Sequence, residues 1–196
     1  AVAEVGRDIL IDFLEWDYKI YPQNHFDIIT AGPPCIWYSS LQNCWKNKWK
    51  IDAKTKERYL YTDERRKQDL EYADSLVKKT IEIIEYFKPT LWFIENPQTG
   101  LLKDRGLLDE YNYYDVDYCC YGFDYRKRTR IWTNKRDFDP QICKKKLCPS
   151  IIKFNETNKC EKFRMKHFKD VSKSIGGSER TKRYKVPNVL IKKLLS

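Results

Sequence analysis

Apolar and polar positions along this chain fall into blocks that read as strand, loop, helix and strand. Phe26, Ile28, Ile29 and Ala31 form a short apolar run, expected as a buried strand, and Gly32-Pro33-Pro34 ends it because proline cannot continue a sheet ladder. From Asp63 to Phe87 the period becomes helical. Leu70, Ala73, Leu76, Val77, Ile81, Ile84 and Phe87 share one face, Thr62 or Asp63 can cap the start, and Lys88-Pro89 ends the helix. Thr90 to Ile94 is a second continuous apolar run, closed by Glu95-Asn96-Pro97. A strand, a crossover helix and a strand make a parallel unit whose two strands end on one sheet edge. Cys35 and Glu95 are therefore expected to be neighbours in space.

Weaker patterns flank this unit. Val2 to Trp16 alternates loosely as a further strand, with Asp12, Glu15 and Asp17 at its end. Leu41 to Tyr61 is a polar loop in which Trp45, Trp49 and Tyr59 sit among Lys46, Lys48, Lys50, Lys54, Lys56 and Arg58. Aromatics set among cations can stack on bases and pair with phosphates, or they can tuck into a core. Tyr113–Phe123 and Arg128–Asn134 are expected to pair as an antiparallel edge hairpin, with Arg128 and Arg130 on one face. Beyond Asp137 regular signals fade. Pro187 to Leu195 reads as a short terminal helix packing through Val189, Leu190, Leu194 and Leu195.

Composition narrows the partners. A formal charge of +10 over 196 residues favours a polyanion, nucleic acid first and an acidic membrane surface second. No apolar run reaches membrane-spanning length. Seven cysteines without a regular framework suit an intracellular, reducing compartment, cytoplasm or nucleus, better than a disulfide scaffold. Met165 is the only methionine and the chain starts at Ala1, so a trimmed or split protein is expected.

Three strand ends carry the candidate chemistry: Gly-Pro-Pro-Cys at Cys35, Glu-Asn-Pro at Glu95, and Arg-x-Arg at Arg128 and Arg130. Singly, each has a plain structural reading: a core thiol, a turn cap, and solvent-facing charges on an edge strand. In this order they resemble the cytosine-C5 DNA methyltransferase family, most closely its compact phage and viral type, over nearly the whole chain. Tyr38-Ser39 stands where the family usually has Phe-Ser, Pro97 where Val is common, and Arg126 where a glutamine leads the third motif. The resemblance implies a Rossmann-like class I methyltransferase sheet, incomplete here, with an antiparallel edge hairpin and an irregular recognition segment. It divides the chain into a partial catalytic domain (1–137), a basic recognition segment (138–177) and a C-terminal segment (178–196) that packs back.

The resemblance also assigns roles. Cys35 adds to cytosine C6, Glu95 serves the ring N3 as acid and hydrogen-bond donor, and Arg128 and Arg130 hold the base carbonyl and favour the thiolate. The target cytosine is flipped out of double-stranded DNA. S-adenosylmethionine is the implied methyl donor, with contacts from Asp12, Phe13 and Pro34, and Gly176 to Leu195 resembles the closing motif of its site. The family's glycine-rich loop and ribose-binding acid do not occur in residues 1–196. A missing N-terminal portion or a partner chain is expected to complete the cofactor site. The alternative is an inactive remnant that binds DNA without catalysis.

Cys143, Cys148, Cys160 and His167 form a further candidate set. Four soft ligands in a segment with little core suit a structural zinc ion, while their irregular spacing also fits free buried cysteines and a surface histidine. Cys119 and Cys120 are expected to pack within a strand, with the alternative that one of them approaches the same site.

Overall fold

The computed structural model describes residues 11–52, 55–168 and 185–196. The chain divides into two compact units, Ala1–Tyr111 with Trp132–Asn134, and Asn112–Ile131 with Lys135–Ser196.

In the first unit, β1 (Ile28–Ala31) pairs in parallel with β4 (Leu91–Pro97), Ile28 opposite Leu91 and Ala31 opposite Ile94. The parallel pair expected from the crossover is present. Between them runs α1 (Asp63–Phe87), capped by the Thr62 side chain, which accepts from the Arg65 N–H at 3.2 Å. Lys88 adopts the left-handed conformation at φ 47° and its N–H bonds to Ile84 O, ending the helix before Pro89. Ala73, Val77 and Ile84 of α1 pack with Trp92 and Ile94 of β4, Tyr38, Leu102 and Trp132 in one core. Burying side chains of this size contributes about 1.5–3 kcal/mol each. Asp69, Asp74 and Thr80 also face inward, so the buried face is more polar than its apolar period suggests.

Three expectations need correction here. β1 is not a buried strand: Ile28 is 47 % exposed and, among the described residues, β4 is its only strand neighbour. An apolar run signals burial against something without saying on how many sides. Ile11 to Asp17 is turn rather than strand, while residues 1–10 of the expected strand lie outside the described residues. Leu41–Tyr61 is not structureless either. Ser40–Trp45 is a 3-10 turn, and β2 (Trp49–Ile51) and β3 (Arg58–Leu60) form an antiparallel hairpin.

In the second unit, β5 (Tyr113–Asp117) and β6 (Arg128–Thr133) are neighbours in the strand order, β6 ending in the first unit. Asp117 faces Arg126 and Asp115 faces Arg130, a reversed order of partners that makes the pair antiparallel, as expected. The expected first strand is cut short, because Tyr118–Tyr121 turns into a 3-10 helix ended by Gly122 at φ 96°. Among the described residues, two α-helices follow, α2 (Pro149–Thr157) and α3 (Asn188–Leu195). α3 buries Leu190 and Leu194, whereas Val189 and Leu195 of the expected packing set are about half exposed. Residues 176–184 of the expected closing motif, Gly176–Leu195, lie outside the described residues.

Candidate active site and metal-ligating cluster

The parallel register carries past the last paired residues of β1. Asn96 Nδ2 donates to Pro33 O at 2.9 Å, which keeps the same 63-residue offset as the strand pairs and fastens the proline turn to the end of β4. Gly32 consequently lies against Glu95, where a Cβ on it would stand 3.5 Å from Glu95 Oε1. Cys35 follows within the same turn. Both Cys35 and Glu95 are half-buried, open enough for a substrate and shielded enough for chemistry. The structure thus brings this sequence-predicted pair to adjacent strand ends of one unit.

What holds the cysteine loop was not read from sequence. Gln42, 1 % exposed, donates from Nε2 to Ile36 O at 2.6 Å, while its Oε1 accepts from Arg66 Nη1 and lies 2.7 Å from Tyr61 Oη, whose single proton is shared between Gln42 and Asp69. Arg66 of α1 also donates to Trp37 O at 2.8 Å. Tyr61 donates to the buried Asp69 at 3.0 Å; burial, then Asp69, push the phenol pKa up to about 12, so it stays a donor. Behind the loop, Tyr38 donates to Asp74 at 3.0 Å, and Arg105 forks onto the same carboxylate. Burial, then Asp74, raise the Tyr38 phenol far above its ordinary value. The hydroxyl that distinguishes Tyr38 from phenylalanine therefore has a buried partner. Gly100 completes the support: a Cβ there would meet Pro97 O at 3.1 Å, a tight approach that glycine avoids in the turn after β4. The weak signals were Gln42 and Arg66, polar residues flanking an apolar loop, but side-chain-to-carbonyl clamps have no sequence period.

A cavity of about 260 Å³ opens beside β1, lined by Phe13, Trp16, Phe26, Thr30, Thr80 and Ile83 among others. The Trp16 indole N–H is buried there with no hydrogen-bond partner among the described residues. A flat aromatic ring with an acceptor nitrogen fits such a slot, and the volume, just under the range of about 300–1,000 Å³ typical of whole-ligand pockets, suits one end of a larger molecule. Phe13 belongs to this lining; Asp12 is exposed and caps its own turn by accepting from Leu14 N–H at 3.0 Å. Pro34 is exposed at the strand end.

Arg128 and Arg130 lie in the second unit. Thr129 and Ile131 are buried and the arginines point the other way, Arg128 exposed and Arg130 partly covered, which is the shared face expected of them. Arg130 forks onto Asp115 at 2.8 and 2.9 Å, with its guanidinium 3.7 Å from the Tyr113 ring centre. Arg126 forks onto the buried Asp117 at 2.9 Å, and Asp117 Oδ2 also accepts the Cys143 N–H at 2.8 Å. Arg126 is thus part of the framework that leads to the cysteines.

Cys119, Cys143, Cys148 and His167 place their ligand atoms within 4.8 Å of one another. Cys143 Sγ and His167 Nε2 stand 3.5 Å apart. Three of these residues belong to the expected set, but the fourth is Cys119, carried inward by the 3-10 turn that cuts β5 short. Cys160 stands outside the group, its N–H bonded to Asn155 O past α2. Burial, then the neighbouring Cys148 and Cys143, raise the Cys119 thiol, and burial followed by Arg126 lowers His167, leaving its imidazole neutral. None of the seven cysteines is in a disulfide.

No protein-family model matches the chain. A protein of Frog virus 3 (isolate Goorha) named probable DNA (cytosine-5)-methyltransferase is 34 % identical over 195 residues, covering 96 % of this chain and 83 % of the viral one. This chain belongs to the DNA (cytosine-5)-methyltransferase family. As a family member it places its Pro-Pro-Cys and Glu-Asn elements at paired strand ends, and among the described residues none of its helices is long and apolar enough to cross a membrane.

Proposed function

We propose that the chain methylates cytosine C5 in DNA through a covalent adduct on Cys35. The observation that carries this reading is the fastening of the Pro33-Pro34-Cys35 turn to the Glu95-Asn96 strand end. Cytosine C5 is a weak nucleophile until a group adds to C6. The Cys35 thiolate forms a bond to C6 while Glu95 gives a proton to N3, so that the electron pair gathers at C5 rather than on the ring nitrogen. S-adenosylmethionine, when bound, supplies the methyl group as an electrophile. Water then takes the C5 proton, the C5–C6 double bond re-forms with expulsion of Cys35 as thiolate, and the N3 proton returns to Glu95. The Asn96, Gln42 and Arg66 bonds to backbone carbonyls hold the loop so that the thiol need not be reoriented for attack.

Phe13 and Trp16 would hold the adenine end of the cofactor, the orphaned indole N–H finding its acceptor there. Arg128 and Arg130 are assigned by the same reading to the base carbonyl. The target base must leave the duplex, at a cost of a few kcal/mol. The β2–β3 hairpin suits DNA contact: Trp49 is 61 % exposed with Arg58 over its ring at 5.3 Å, and Lys50 lies 4.0 Å over Trp45. Rings paired with cations in this way can stack on bases and neutralise phosphates.

Transfer of labelled methyl groups from S-adenosylmethionine to mixed-sequence double-stranded DNA tests the reaction. Incorporation that survives as 5-methylcytosine on nucleoside analysis is the expected result. DNA binding without any incorporation, in a protein carrying whatever sequence precedes Ala1, would establish the non-catalytic remnant instead.

A further inference from the structure

One buried cluster of the second unit is made of Cys119, Cys143, Cys148 and Ile151, with Cys120 packed against it. Three thiols and an imidazole within 4.8 Å are poor packing material, since each buries a polar atom that a leucine or valine would not. They are good ligands. Zinc–sulfur bonds of about 2.3 Å and zinc–nitrogen bonds of about 2.0 Å put donors of a tetrahedral site roughly 3.5–3.8 Å apart. Cys143 Sγ and His167 Nε2 already stand at 3.5 Å.

The surroundings are arranged for ligation as well. Lys145 takes a left-handed φ of 37°, which is unfavourable for a side chain and turns the chain sharply between Cys143 and Cys148. On the other side, Asp117 receives the Cys143 N–H and is itself fixed by the Arg126 fork, so the ligand loop is held from both ends. His167 is carried by a segment tied back at Phe168, whose N–H bonds to Ser150 Oγ at 3.0 Å.

We propose that Cys119, Cys143, Cys148 and His167 bind one zinc ion in a closed structural site of the second unit. Binding releases the three thiol protons to solvent and uses the neutral imidazole through Nε2. The three thiolates and one divalent cation leave a single negative charge, close to the Arg126 guanidinium and the Lys144–Lys146 run. Three sulfurs and one nitrogen, with the cysteines buried, favour zinc over calcium or magnesium, which want oxygen. All four positions are filled by protein, so the ion has no place for a reacting water and its role is to staple the turn after β5, the loop before α2 and the segment after it. The site stands independently of whether the chain methylates DNA.

Elemental analysis of the full chain, purified without chelator, gives one zinc per chain if the site exists. Cys160→Ala keeps that stoichiometry, and Cys119→Ala lowers it at least tenfold. As Cys119 is buried and its variant could fail to fold, the wild-type protein supplies a second measurement. After chelator treatment, titration with cobalt(II) produces the visible bands of tetrahedral thiolate cobalt, saturating at one equivalent and bleached by zinc. Bound zinc also shields Cys119, Cys143 and Cys148 from alkylation and leaves Cys44 and Cys160 reactive. A folded, metal-free chain that shows no cobalt bands overturns the proposal, and so does a Cys160→Ala variant that loses zinc while Cys119→Ala retains it.

Discussion

The two units of this chain are held together by different means. The first is built of regular elements: a 25-residue helix, a parallel strand pair and an apolar core of aromatic and aliphatic side chains. Its polar interior (Gln42, Asp69, Asp74, Asn96) is spent on fixing one loop, the one that carries Cys35. The described residues of the second unit form short turns, small helices and forked ion pairs, and one of its buried clusters is mostly sulfur. Where hydrophobic period is strong, the core supplies stability and polar groups are free to position chemistry. Where it is weak, polar groups must supply the stability themselves.

That contrast can be broken experimentally, and the largest effect is expected in the first unit. Cys35→Ala should lower methyl transfer at least about a thousand-fold, because it removes the group proposed to add to C6, while thermal stability and DNA affinity stay close to wild type. Glu95→Gln, which keeps the shape and removes the proton donor, should lower turnover about a hundred-fold. Turnover near wild type in either variant would show that the strand-end pair is not the reacting pair.

Chelation comes next and strikes the other unit. Removing a structural zinc withdraws folding free energy on the order of several kcal/mol. Hydrogen exchange should then accelerate across β5, residues 143–148 and α2, while α1 and β4 keep their protection, and added zinc should reverse the change. Equal loss of protection in both units would erase the distinction drawn between them.

Smaller effects sharpen it. Asp74→Ala should cost about 2–3 kcal/mol in denaturant titration, less than the roughly 3–5 typical of a fully buried pair, because Arg105 keeps a third of its surface in water. Gln42→Ala should lower turnover about ten-fold with little change in KM for DNA, since Gln42 orders the cysteine loop without touching substrate. A KM change with turnover intact would place Gln42 in DNA binding. Thr62→Ala, which removes the cap of α1, should cost about 1 kcal/mol and leave turnover unchanged.

How much of this was legible in the sequence follows the same division. The bounds of α1 could be read to the residue, since Thr62 caps it, the apolar face repeats at helical spacing and Lys88-Pro89 stops it. The parallel pairing of β1 with β4 followed from a crossover of that length, and with it the adjacency of Cys35 and Glu95. The burial of β1 was overstated, because an apolar run does not reveal which side lies open. The β2–β3 hairpin was hidden by cations interleaved with aromatics, Arg58 over Trp49 and Lys50 over Trp45 of the preceding turn, a pairing with no strand-like alternation. In the second unit the member missed was Cys119. Within Tyr118-Cys119-Cys120-Tyr121 it reads as strand packing, and only a turn formed through space sends it toward Cys143, Cys148 and His167. Ligand sets gathered from irregular spacings are a property of tertiary structure, whereas helical faces are a property of neighbours in sequence.

The central claim is that Cys35 is the nucleophile, and trapping reads it directly. DNA in which 5-fluorocytosine replaces cytosine blocks the final proton loss, so the enzyme should remain bonded to C6 once the methyl group has been transferred. Incubated with such DNA and S-adenosylmethionine, the protein should give a denaturation-resistant adduct, with the peptide containing Cys35 carrying the modified base on mass spectrometry. An adduct mapped to any other cysteine, or undiminished in Cys35→Ala, would contradict the account.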